Sequence, residues 1–432
     1  MTEAARDAGL IRSVGPLGLA AATINIIIGA GIFALPGVIA AAIGVYAPLA
    51  FVACAIAMGA VAFCFAEGGR RIATSGGCYG YIGVAFGPQA AFITGLVFIV
   101  ANCLATAGIA AALASVITAI CPPGFAAFVR PAVILGVIGL LSAVNVRGVV
   151  AGTRLVAVVT VVKLAPLVVF VVAGLPLVNG ANLVPSASPS FGDVGRALIL
   201  GVFAFTGMEA PLSASGEVRD PRRSIPLALL VTMIVVTALY VAIQVVAQGV
   251  LGPALAGSAT PLADAMGQVH PALRTLLLAG AAVSMFGWLG SDLMSSPRML
   301  FALGRDGLLP RTLGRLHPAT RAPYVAILWY ALAAVIIALS GTFAELAVLA
   351  TLGSAAIYIT GCLAVWRLAR RTPSETANGK SASTWLGAAV MLGVIGMGLI
   401  IALASPAEIG GLIGLIVMSF LGYRIRAAGR LS

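Results

Sequence analysis

Apolar residues along this chain do not alternate with polar ones. They run on in blocks separated by short polar stretches that carry glycine, proline and arginine. A helix rising 1.5 Å per residue needs about 20 apolar residues to cross roughly 30 Å of hydrocarbon. Twelve blocks approach or exceed that length, at about 17–43, 45–66, 81–115, 131–146, 150–174, 194–216, 226–248, 272–302, 322–340, 343–368, 384–404 and 408–425. Unbroken apolar runs predict helices, which satisfy every backbone group within their own span, and exclude the alternating strands of a barrel. The first block is too long for a signal-peptide core and has no small-residue cleavage site, so it is expected to remain as an anchor.

Two blocks contain residues that interrupt helices. The first carries Gly29, Ala30 and Gly31, with Pro36 a turn later, and the sixth carries Thr206, Gly207 and Met208, with Pro211 following. Paired interruptions at matching places in two halves are the sequence signature of a transporter site near the bilayer midplane, since unwound backbone at that depth must line a cavity. Spans one to five cover 17–174 and spans six to ten cover 194–369, with two additional spans over 384–425. An odd number of spans per half inverts the second half relative to the first. The expected fold is therefore an all-α polytopic membrane protein of twelve transmembrane helices, a five-plus-five inverted repeat with discontinuous helices 1 and 6. Glycine lets the chain leave a helix without a side-chain clash, and a half-helix N-terminus offers amides to a carboxylate while a half-helix C-terminus offers carbonyls to an ammonium. The competing explanation for Gly-Ala-Gly is close helix packing by small residues, which the second interruption disfavours.

Composition adds orientation. Hydrophobic residues make up 61% of the chain and charged ones 9%, with mean hydropathy +1.12, far outside the range of soluble domains. The formal charge of +12 raises the possibility of a nucleic-acid partner, but 21 of the 25 Lys and Arg residues fall on the side of the spans shared with the N-terminus. Only Arg130, Arg196 and Arg274 fall opposite, and Lys163 lies within a span. The charge is thus topological: both termini, 1–16 and 426–432, are expected in the cytoplasm of a cell whose inner (plasma) membrane holds the protein, with no nucleic-acid partner. The six cysteines are scattered and the two histidines, His270 and His317, fall in loops, so no metal, cofactor or membrane-enzyme centre is expected.

The short motifs resemble those of the amino acid, polyamine and organocation transporter superfamily over nearly the whole chain. GAGIF at 29–33 is similar to that family's GSGIF, and SGGCYGYIGVAFG at 75–87 to its GGxYxYxxxxFG loop. NVRG at 145–148, FAFTGMEAPLSASGEVRDPRRSIP at 203–226 and RMLFALGRDGLLP at 298–310 follow in the family's order. The resemblance implies transport of amino acids or related amines by alternating access. It implies that amides of Ala30, Gly31 and Ile32, beside Gly29, receive the substrate carboxylate, and that carbonyls of Ile27, Phe203 and Thr206, beside Gly207, receive its ammonium. Phe203 matches an aromatic that closes over substrate. Ala30 departs from the usual serine, which removes one hydroxyl contact.

Ionisable residues inside apolar blocks need a partner or a purpose, because an unpaired charge at mid-bilayer costs about 3 kcal/mol even on lenient scales. Lys163 lies over a dozen residues into its span, and the resemblance implies that its ammonium props the break in span one, in place of a sodium ion. Glu209 resembles a proton-linked or substrate-orienting acid, with a structural hydrogen-bonding role as the alternative. Asp292 is expected either to line the pocket or to bond helix to helix. Asn25, Asn102 and Thr106 are expected as pocket lining or interhelical contacts, the last two sharing a face at i, i+4. Glu217, Arg219, Asp220, Arg222 and Arg223 are expected as solvated or gating ion pairs, Arg305 and Asp306 as a gate or topological anchor, and 258–270 as an external lid. With no P-loop, the driving force is expected to be a proton or an exchanged substrate. Export of amines or polyamines is the alternative within transport, and an ion channel or membrane sensor the alternative of another class. The side chain of the substrate and the oligomeric state are open at this level.

Overall fold

A computed structural model of the chain describes residues 15–29, 31–71, 77–147, 153–185, 188–209, 218–371 and 379–428. Among these residues the regular structure is helical, with no strand. Fifteen α-helices follow in order: α1 Pro16–Ile27, α2 Gly31–Ile43, α3 Ala47–Arg71, α4 Gly77–Phe86, α5 Pro88–Thr118, α6 Ala126–Val146, α7 Thr153–Gly174, α8 Phe191–Phe203, α9 Pro221–Leu251, α10 Pro261–Gly267, α11 Pro271–Arg305, α12 Tyr324–Ser340, α13 Phe343–Arg371, α14 Gly379–Ala402 and α15 Pro406–Ala428. Six of them open on proline, whose fixed φ suits a first helical position and whose missing N–H would have no partner there. Eight helical stretches are long and apolar enough to cross a membrane, accompanied by three shorter apolar helices.

Among the described residues most of the apolar blocks coincide with helices; the block at 194–216 is helical only to Phe203 and lies outside the described residues from 210, and another is divided at a junction. The run expected to be continuous over 81–115 is divided at Gly87, which takes φ 90° before Pro88 starts the next helix. Residues 77–86, expected as part of a loop motif, form α4 instead. The stretch 258–270, expected as a lid, contains the short helix α10, with Leu262, Ala265 and Met266 buried. Its Asp264 carboxylate accepts from Ser258 Oγ at 2.6 Å and Thr260 Oγ1 at 3.0 Å and lies 3.6 Å from Arg274 Nε.

Polar contacts sort the helix ends into two groups. At one end Arg196 pairs with Glu408 at 2.7 Å, Arg130 donates to Gly341 O at 2.9 Å and Asn182 Nδ2 to Gly249 O at 2.8 Å. At the other, Thr320 Oγ1 donates to Val146 O at 2.7 Å, Arg426 to Gly307 O at 3.3 Å, and Arg305 pairs with Asp306 at 2.9 Å. Arg219, Asp220, Arg222 and Arg223 precede or open α9, with Arg223 3.9 Å from Asp220; Glu217 lies outside the described residues. The core between the ends is aliphatic, with aromatic junctions where Tyr240 meets Phe51 at 5.8 Å and Phe205 at 5.3 Å.

Helices α7 and α11 approach closely: a Cβ on Gly280 would stand 2.6 Å from Pro166 Cγ, a ring that cannot turn aside. Gly280→Ala is expected to cost about 1–3 kcal/mol through overpacking, read as a lower unfolding temperature of the detergent-solubilised protein. Gly410→Ala, where the added methyl meets nothing within 4 Å, should leave it unchanged.

Candidate functional site

The backbone is interrupted at both expected places. Helix α1 ends at Ile27 and α2 starts at Gly31, with Ala30 outside the described residues. Helix α8 ends at Phe203 and continues as turns through Glu209, with Gly207 at φ 99°. A side chain at that φ would be strained, and a Cβ there would also meet Ile26 Cγ2 at 2.8 Å. The two interruptions touch each other, since a Cβ on Gly31 would stand 3.4 Å from Ala204 Cα.

An interrupted helix leaves its last carbonyls without intrahelical donors, and in a dry interior each needs another. At the end of α1 the donors come from three separate helices. Lys163 Nζ, on α7, donates to Asn25 O at 3.3 Å. Tyr240 Oη, on α9, lies 3.2 Å from Ile27 O and 3.1 Å from Ala204 O, so its one proton is shared between both interruptions. Ser284 Oγ, on α11, lies 3.1 Å from Ile28 O and 3.2 Å from Gly29 O. One turn along α11, the indole of Trp288 stands over the break, where a Cβ on Gly29 would meet its Cδ1 at 2.9 Å. The remaining bonds are local, from Ile28 N to Ile24 O and from Gly29 N to Ile27 O, both 2.9 Å.

The second interruption is held mainly by its own turns. Phe205 N donates to Val202 O at 2.9 Å, and Phe203 O accepts from Thr206 N at 3.2 Å and Thr206 Oγ1 at 2.8 Å. Gly207 N lies 3.4 Å from Tyr358 Oη, which donates to Glu209 Oε2 at 2.8 Å. The expected acceptors Ile27 O and Phe203 O thus already receive two donors each in this conformation. Gly31 and Ile32 open α2, where first-turn amides have no acceptor inside their helix. The Phe203 ring packs edge-on to Phe343 at 5.8 Å.

The buried acids and amides divide differently. Asp292, 7% exposed, is ringed by hydroxyls: Oδ2 accepts from Thr106 Oγ1 at 2.6 Å and Tyr330 Oη at 2.7 Å, and Oδ1 from Ser296 Oγ at 2.6 Å. That cluster joins α5, α11 and α12 and contains Thr106. Asn102 turns back on its own helix, donating to Phe98 O at 3.0 Å. Asn25 is buried beside the first break, and its Oδ1 has no donor among the described residues. Lys163 and Glu209 are therefore brought to the breaks, whereas Asp292, Thr106 and Asn102 bond elsewhere.

Tyr240, Ser284 and Trp288 were not singled out by the sequence. The traceable signal is periodic: Ser284, Trp288, Asp292 and Ser296 recur every four residues along one stripe of an otherwise apolar helix.

Replacement of Asp292 separates bonding from charge. Asp292→Asn keeps an oxygen for Thr106 and Tyr330 and offers an amide to Ser296, so its stability should stay within about 1 kcal/mol of the parent. Asp292→Leu leaves three buried hydroxyls without their acceptor and should cost about 3 kcal/mol or more. Both are read by thermal unfolding in one detergent.

Sequence comparison adds the lineage. The family described as amino acid permease matches residues 14–420. The methylthioribose transporter of Bacillus subtilis is 27% identical over 391 residues, covering 86% of this chain and 84% of that protein. The branched-chain amino acid permease of the same organism is 27% identical over 398 residues, covering 85% and 83%. Its serine/threonine exchanger is 27% identical over 383 residues, covering 85% and 86%. With helices long enough to cross a bilayer, two facing interruptions and a family match over nearly its whole length, this chain is an integral multi-pass membrane protein that belongs to the amino acid permease family.

Proposed function

We propose that the chain is a secondary active transporter that carries amino acids across the plasma membrane by alternating access, coupled to a proton or to an exchanged substrate. The observation that carries this reading is the contact between the two interruptions, Gly31 against Ala204 and Gly207 against Ile26. It assembles main-chain donors and acceptors from both halves of the chain at one place, as a solute with a carboxylate and an ammonium requires. The proposed topology is twelve spans, with repeats over 17–174 and 194–369, further spans over 384–425, and both termini cytoplasmic. Support comes from the eight helical stretches and three shorter apolar helices that overlap the apolar blocks and from the arginine bias.

In this reading the amides of Ala30, Gly31 and Ile32 take the substrate carboxylate. Its ammonium reaches the carbonyls of Ile27 and Phe203 by displacing the hydroxyls of Tyr240 and Thr206, and it reaches Thr206 O beside them. Such an exchange replaces one hydrogen bond by another and stores little energy, which suits a site that must also release. Lys163 and Glu209 are the coupling candidates: each lies against an interruption, and neither belongs to an ion pair among the described residues.

The substrate class favoured here is neutral amino acids. Asp292, which would favour cationic side chains if it faced the solute, has three hydroxyl donors, which weakens the reading as an exporter of polyamines. The B. subtilis branched-chain permease and serine/threonine exchanger agree with a neutral class. The methylthioribose transporter keeps a neutral non-amino-acid solute as the second reading.

Uptake into proteoliposomes tests both the activity and the coupling. Labelled branched-chain or hydroxyl amino acids should accumulate or exchange, and labelled polyamines should not. Lys163→Ala, recovered as a monodisperse folded protein, should lower uptake about tenfold or more, from loss of a charge-assisted hydrogen bond at the break. Near-normal rates with an unchanged pH dependence would remove Lys163 from the mechanism. Uptake of methylthioribose without any amino acid would replace the substrate class.

A further inference from the structure

Away from the interruptions, a cavity of about 550 Å³ opens between α6 and α12 beneath the loop that joins α11 to α12. Its lining is ordered along the helix axis. Arg147, at the C-terminal end of α6, and His317, in the loop, lie at the polar end. Ser142 lies one turn or so deeper, about 7 Å along the axis at 1.5 Å per residue. Ile138 and Leu135 follow, with Leu328 and Val335 lining the groove from α12.

The polar groups at one end are donors. Arg147 has no acidic partner among the described residues. His317 Nδ1 accepts from Thr320 N at 3.3 Å, which leaves Nε2 as the nitrogen that carries a proton. Ser142 is 4% exposed, and its Oγ has no hydrogen-bond partner among the described residues. A serine buried in a membrane helix ordinarily returns its proton to its own backbone; the Ser142 hydroxyl, closed to water in this rotamer and with no bond to break, is free to turn toward an acceptor that enters the cavity its residue lines. The residues around it add no negative charge: 307–323 and 126–147 contain arginines and no Asp or Glu. Meanwhile Leu135 and Leu328 are 52% and 54% exposed, as side chains facing acyl chains would be.

We propose that this groove binds an anionic phospholipid, with its headgroup phosphate on Arg147 and His317, an ester carbonyl on Ser142 Oγ, and an acyl chain along Leu135, Ile138 and Leu328. The order phosphate, ester, hydrocarbon along a lipid matches the order guanidinium, hydroxyl, aliphatic wall along α6. Basic pockets between spans on the arginine-rich side of a membrane protein are suited to such headgroups. The site is independent of the transport reading and requires only that the protein sit in a bilayer.

Native mass spectrometry of the purified full chain, titrated with phosphatidylglycerol, phosphatidylcholine or glycerol 3-phosphate, tests it. Phosphatidylglycerol should bind more tightly than phosphatidylcholine, and Arg147→Gln should reduce that preference about fivefold, the contribution of one cation near anionic lipid. Ser142→Ala should weaken both lipids, because both carry the ester. Gly139→Phe fills the groove from a position where a Cβ meets no protein atom within 4 Å, and should lower occupancy by both lipids without loss of fold. Glycerol 3-phosphate should not compete. Equal binding of the two lipids, competition by glycerol 3-phosphate at phosphatidylglycerol concentrations, or parental binding in both Arg147→Gln and Gly139→Phe would each overturn the proposal.

Discussion

A helix that stops in the middle of an apolar interior exposes carbonyls that no water can satisfy, and the arrangement around α1 follows from that need. Each such group left bare costs on the order of several kcal/mol in a hydrocarbon-like setting. Lys163, Tyr240 and Ser284 bring donors to Asn25, Ile27, Ile28 and Gly29 from three different helices. The break is therefore a property of the assembled bundle, since an isolated segment with the sequence of 16–43 would have no such donors.

Helix α9 shows how a continuous helix can splint a broken one. Thr232, Tyr240 and Gln244 fall at spacings of eight and four on one face, and donate respectively to Ala20 O at 3.4 Å, Ile27 O at 3.2 Å and Pro36 O at 3.4 Å. The acceptors run from α1 across the break into α2. Neutral hydrogen bonds contribute about 1 kcal/mol each, so three of them fix a geometry while leaving it exchangeable. An ion pair at the same depth would hold more rigidly and demand full compensation of both charges.

What the sequence disclosed is set by which partner has a chemical signature. Gly29, Gly31 and Gly207 stand out because glycine and proline are conspicuous within apolar runs, and Lys163 stands out because a lone lysine there is costly. Many helix bounds were legible from the same runs, but not at Gly87 and Pro88, where apolar residues continue on both sides of the division between α4 and α5. Tyr240 and Ser284 were illegible for a different reason. Their acceptors at the first interruption are main-chain carbonyls more than 200 residues away in sequence, and a carbonyl looks the same whatever residue carries it. Asp292 was legible as a buried acid, but its choice between solute and hydroxyls depended on Thr106 and Tyr330 arriving from α5 and α12.

The two interruptions differ in what holds them, and the difference bears on which can move. The second is held partly from within: Gly201 O, Val202 O and Phe203 O are taken by amides and a hydroxyl of 204–206, while Ala204 O takes the Tyr240 hydroxyl of α9 and Gly207 and Glu209 bond to Tyr358 of α13. The first takes its donors from α7, α9 and α11. Displacing those helices relative to α1 would break all of these donor contacts, whereas the second interruption would keep its internal turns and lose only the bonds to Tyr240 and Tyr358. Tyr240 is a point where the two are joined, because its one hydroxyl lies within hydrogen-bond distance of both Ile27 O and Ala204 O. With one proton for two acceptors, committing it to either carbonyl leaves the other without that donor.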